Sequence, residues 1–126
     1  MKIVSKDKAL HAHKLEGLEV WHYLFDEYEI HYDEQAPNTK QVWHLHNKVH
    51  ETLFLIEGEL EASWKEGPEI KSHILKAGDI AETENSDHVF ENKTNKVVKF
   101  LIIKQVLVGV NKSEVLKNDK VITENK

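Results

Sequence analysis

The chain contains no cysteine and no arginine. Without cysteine there is neither a disulfide framework nor thiol chemistry. Without arginine, all 17 basic residues are lysine. A carboxylate or phosphate on a ligand must then be met by lysine, histidine, backbone N–H or a metal, not by a bidentate guanidinium fork. Also missing is any apolar run of the roughly 18 residues that a membrane-spanning helix needs. The opening residues Met1 to Lys8 lack a signal-peptide core. A net charge of -5 gives no basic footprint for nucleic acid or an anionic membrane. These absences lead us to expect a cytoplasmic protein with neither nucleic acid nor membrane as partner.

What is present describes an ordinary globular chain. At 126 residues, 40% hydrophobic and 31% charged, it is long enough to bury a core without covalent staples. We expect a single domain over residues 1–126, its core at about 18–108, with partly ordered extensions at both ends. Strand signals dominate that core. Leu18 to Phe25 is aromatic and β-branched, and Tyr28-Glu29-Ile30-His31-Tyr32 alternates cleanly. Glu59 to Lys65 directs Leu60, Ala62 and Trp64 inward and charges outward. Turn signals stand at Gln35-Ala36-Pro37-Asn38, Glu66-Gly67-Pro68 and Ala77-Gly78-Asp79. Many short strands without a helical period predict an all-β fold, a sandwich or small barrel. Thr52 to Ile56 and Val97 to Ile103 are apolar on both faces, so each strand is expected to be covered on both sides. Leaving such a surface bare is unusual for a monomer, and the expectation is a homodimer. Near the carboxyl end, Val115-Leu116 and Val121-Ile122 could each dock as a short element.

Chemistry concentrates in residues 44–58. His44 and His46 are two apart on a strand-like stretch and therefore share a face. Glu51 follows after a short polar break, then an apolar run ends at Gly58. Two imidazoles and a carboxylate suit a borderline divalent metal. Farther on, His88 offers a fourth ligand ahead of Asn92. Spacing alone is a weak argument, because His11-Ala12-His13 has the same spacing in a lysine-rich setting and reads as surface.

Here the chain resembles the cupin superfamily. That family's first motif runs Gly-x5-His-x-His-x3 or 4-Glu-x6-Gly, and His44, His46, Glu51 and Gly58 keep every spacing. Gly78, His88 and Asn92 match parts of the second motif, Gly-x5-Pro-x-Gly-x2-His-x3-Asn. Asn38 stands where motif one begins with glycine, and asparagine also tolerates positive φ. The second motif lacks its internal proline and glycine, and it is one residue shorter between Gly78 and His88. The resemblance spans roughly residues 18–108. It implies a double-stranded β-helix, or jelly-roll barrel, with a metal held by His44, His46, Glu51 and His88.

Such a donor set takes Fe, Mn, Ni, Cu or Zn as the divalent ion. Parity with the ligands nominates Val42, Leu53, Leu55 and Phe90 as pocket walls, with core filling as the alternative role expected for each, and Trp64 and Phe100 as further inward-facing residues. The pocket is expected to be apolar with few charges. The functional expectation is a metal-dependent enzyme of dioxygenase, isomerase or decarboxylase type acting on a small organic molecule. The alternative is a non-catalytic module that binds or senses a small ligand.

Overall fold

Alternating apolar residues can be buried only by pairing strands and turning one face of each inward. The computed structural model describes residues 1–106 and 120–124, and these form twelve strands and one 3-10 turn at Lys6–Lys8. In chain order the strands are β1 (Leu10–Lys14), β2 (Leu18–Leu24), β3 (Tyr28–Gln35), β4 (Thr39–Lys40), β5 (Trp43–His46) and β6 (Val49–Glu57). They continue with β7 (Glu59–Glu66), β8 (Glu69–Lys76), β9 (Ile80–Glu82), β10 (His88–Asn92), β11 (Val98–Val106) and β12 (Lys120–Glu124). One sheet has the order β1-β2-β3-β11-β6-β9 and the other β12-β5-β10-β7-β8, with β4 paired to β10. Every pairing is antiparallel. Non-consecutive strands lie side by side in both sheets, as the jelly-roll barrel requires.

The core lies between the sheets. Leu53 and Leu55 on β6, Leu60 on β7 and Val98 and Phe100 on β11 are fully buried in one cluster with Leu18, Val20, Phe90 and Ile102. Gly58 turns β6 into β7 at φ 97°, and a Cβ there would come within 3.0 Å of Val98 Cγ2. Asn38 has φ 54°, the positive value expected for the position where the family motif has glycine.

Strands also form outside residues 18–108. β1 adds a strand to β2, pairing Leu10 with His22 and Lys14 with Leu18. β12 covers the edge of β5, pairing Ile122 with His44 and Val121 with Leu45. Val121-Ile122 thus docks, whereas Val115-Leu116 and the extension of β11 towards Val108 lie outside the described residues. The outer faces of β6 and β11 are half-buried: Phe54, Leu101 and Ile103 are partly covered and Ile56 is 42% exposed. No described helix is long and apolar enough to cross a membrane.

Candidate metal centre

Strand alternation places the four candidate ligands. His44 and His46 point inward from β5, Glu51 from β6 and His88 from β10, and all four are buried. One ligand atom from each of His44, His46 and Glu51 lies within 4.8 Å of the others, a cluster that could hold a metal ion. His88 joins this group through Glu51. Its Nε2 lies 3.0 Å from Glu51 Oε1, while His46 Nε2 lies 2.9 Å from Glu51 Oε2. His88 is also the cross-strand partner of His44, with ring centroids 4.4 Å apart.

Outer hydrogen bonds set the ring tautomers. His44 Nδ1 donates to the Val42 carbonyl at 2.8 Å, so Nε2 is the nitrogen left to coordinate. His88 Nδ1 donates to the Ser86 carbonyl at 2.8 Å. Both nitrogens of His88 therefore face acceptor oxygens, although a neutral ring has a single N–H. That arrangement calls for positive charge between His88 and Glu51, either on the ring or on an ion. The donor set fits a divalent transition metal. Burial pushes the Glu51 carboxyl up, but hydrogen bonds from His46 and His88 and the charges of His46 and Lys104 hold it well below its ordinary value. It is a carboxylate, the form that coordinates.

The loop that aims His88 does so without the motif's proline and glycine. Glu84 and Asn85 adopt positive φ, 52° and 58°. Asn85 Nδ2 donates to the carbonyls of His46 at 2.6 Å and Val49 at 3.1 Å. This side chain clamps the loop to the turn that connects the other ligand strands. Asp87 accepts from Thr123 Oγ1 of β12 and pairs with Lys65. Asn92, fully buried, donates to the carbonyls of Gln35, Ala36 and Lys96 and fixes the far end of β10.

Two cavities meet the centre and share Phe90 as a wall. The larger, about 590 Å³, has Trp64 and His88 in its lining together with Lys65, Glu66, Glu82 and Glu84. The smaller, about 30 Å³, is bounded by His44, His46 and Glu51, and also by Phe100, His31 and Lys104. Of the expected pocket walls, Phe90, Trp64 and Phe100 line these cavities. Leu53 and Leu55 line neither and fill the core instead. Val42 also lines neither; it precedes β5 outside any strand, and its N–H donates to Glu16. The larger cavity is walled mostly by apolar groups, among them Ala62, Trp64, Leu75, Ile80 and Phe90, as expected, but both cavities carry more lysine and carboxylate side chains than the sequence led us to expect.

Other histidines sort by position. His11 and His13 are exposed on β1 and both pair with Glu19. His50 points away from Glu51, towards Glu82 at 3.9 Å. Sequence reasoning missed His31 and Asp33, which are buried beside the ligands. The alternation around them was visible, but not which face turned inward.

The Cupin domain family matches residues 31–104. Among solved structures, the chain is similar to an uncharacterized conserved protein with a double-stranded β-helix domain from Klebsiella pneumoniae. That match has 20% identity and a TM-score of 0.71 over 99% of each chain. The chain is also similar to a sugar phosphate isomerase from a cupin superfamily from Silicibacter pomeroyi, at 17% identity and TM-score 0.67 over 82% of this chain and 75% of that one. A third similarity is to an oxalate oxidase in complex with glycolate, at 18% identity and TM-score 0.67 over 82% of this chain and 59% of that one. No curated protein matches the chain.

Proposed function

This chain belongs to the cupin family, and we propose that it is a metalloprotein whose His44, His46, Glu51 and His88 hold a divalent Fe, Mn, Ni, Cu or Zn ion. One observation carries the reading. Three imidazoles and a carboxylate are buried together at the junction of two cavities, and charged groups so buried are paired or coordinate a metal. A bound ion would supply Lewis-acid polarisation of substrate oxygens. The chain itself contributes a rigid strand framework for the four ligands and the 590 Å³ cavity for a small organic substrate.

We favour an enzyme of the dioxygenase, isomerase or decarboxylase type, and the fold does not choose among them. That a sugar phosphate isomerase and an oxalate oxidase share this barrel supports catalysis as the use of the site. The second reading, a small-ligand binding module, is favoured by the size of the larger cavity. Metal titration into stripped protein tests the centre. Glu51→Ala should weaken binding by more than about 100-fold, since loss of a ligand exceeds loss of an outer partner, and its circular dichroism should remain that of a β barrel. Unchanged metal affinity in Glu51→Ala would sink the proposal. A binding module, unlike an enzyme of this type, would keep its small-molecule affinity after the metal is stripped.

We also propose a homodimer formed through the outer face of the β6-containing sheet. There Trp21, Tyr32, Leu101, Phe54 and Ile80 make one continuous cross-strand row of apolar side chains.

A further inference from the structure

Two cavities of unequal size meet at Phe90, and among the described residues no other lines both. The inner cavity, about 30 Å³, is walled by His44, His46 and Glu51 together with His31, Asp33 and Lys104. It is polar because β3 turns Glu29, His31, Asp33 and Gln35 inward and Ile30 and Tyr32 to the half-exposed side. The outer cavity, about 590 Å³, has the fourth ligand, His88, in its wall beside Ala62, Trp64 and Leu75. The donor set is therefore divided. Three ligands border a space for roughly two water-sized groups, and one borders a space that suits an organic molecule.

Phe90 is held where it stands. It is 2% exposed and packs in the main core cluster. Its carbonyl accepts from the Gln41 N–H at 3.1 Å and from Gln35 Nε2 at 3.3 Å. Its ring lies tilted against that of His88, with centroids 5.3 Å apart. Two residues on, Asn92 ties β10 to the carbonyls of Gln35, Ala36 and Lys96. A close-packed interior leaves such a ring no room to swing aside. The phenyl carries no polar atom, so it acts at the centre through its shape, not as a base or a donor.

We propose that Phe90 is the specificity-determining residue of the site, a partition that admits a group of a few atoms to the metal centre and keeps a broad chelating group in the outer cavity. The inference rests on the metal reading above. A small organic substrate lodges its body against the apolar wall of the outer cavity and extends only a narrow end past the phenyl edge. A chelating group with a ring behind it is refused, since forcing extra atoms into a packed interior displaces side chains from their preferred positions.

Visible absorption of protein loaded with Co(II), a coloured stand-in for the divalent ion, tests this with two probes. Azide is a narrow linear anion, whereas benzohydroxamate chelates through two oxygens and carries a ring. The readout is the ratio of their affinities, in which a general change at the centre cancels. Azide should shift the Co(II) spectrum of the unmutated protein, and benzohydroxamate should bind it poorly. In Phe90→Ala the ratio should move towards benzohydroxamate by about tenfold or more. Phe90→Leu, which disturbs the core less, should move it in the same direction, and it decides the matter if Phe90→Ala does not fold. An unchanged ratio in the folded variants overturns the inference and leaves the metal reading standing, and so does a Co(II) spectrum that azide leaves unmoved. Failure of the unmutated protein to bind Co(II) overturns both.

Discussion

Glu51 carries opposed pressures. Burial disfavours its charge, whereas His46, His88 and Lys104 favour it strongly enough to hold its carboxyl well below the ordinary 4.5. Glu29 repeats the pattern on β3: burial raises it, and the hydrogen bond from His22 with the charges of His31 and Lys104 takes it below 4.5. Both native values are lower than the unfolded ones, so the unfolded chain binds more protons as acid is added. Their contribution to stability is complete above about pH 4.5 and is lost as pH falls through the native values. Urea unfolding of metal-stripped protein should show a midpoint that drops steadily on acidification below that point. A midpoint that held or rose there would contradict the assignment. His44, His46 and Glu51 were legible because spacing on strands fixes a face. His31 and Asp33 were not, because Tyr28-Glu29-Ile30-His31-Tyr32 alternates equally well with either side inward. The usual rule, apolar inward, selects the wrong side here.

At the scale of elements, the sequence conveyed the central strands well. Leu60 and Ala62 alternate with Glu61 and Ser63 on β7 as burial requires. The flanking strands were not legible in this way. β1 and β12 are short and polar, and pairing with a neighbour, not periodicity, makes them strands. β12 affects the site directly. It pairs along β5, which carries two ligands, and its Thr123 donates to Asp87 at 2.5 Å in the loop before His88. Lys65 joins Glu124 at 3.0 Å and Asp87 at 3.2 Å across the same junction. Removing residues 120–126 should leave the barrel folded and weaken metal binding by about 10-fold or more, the cost of losing outer support. Faster amide exchange in β5 should accompany that loss. Metal affinity equal to that of the full chain would show that β12 does not support the ligands.

At the scale of the molecule, two antiparallel sheets enclose a core on one side of the centre and two cavities around it. The jelly roll followed from strand count and the first motif. The charged cavity walls did not, since they come from β1, β3, β7, β9 and the loop after it, and β11, which meet only in three dimensions. The outer row from Trp21 to Ile80 remains the surface on which a second copy would sit. Native mass spectrometry of protein purified without an affinity tag reads the copy number, two for the proposed dimer, and the metal content in one spectrum. The account predicts one first-row divalent ion per chain in the unmutated protein and none in Glu51→Ala. A bare-chain mass for the unmutated protein, or the same ion retained by the variant, would contradict the metal centre at His44, His46, Glu51 and His88.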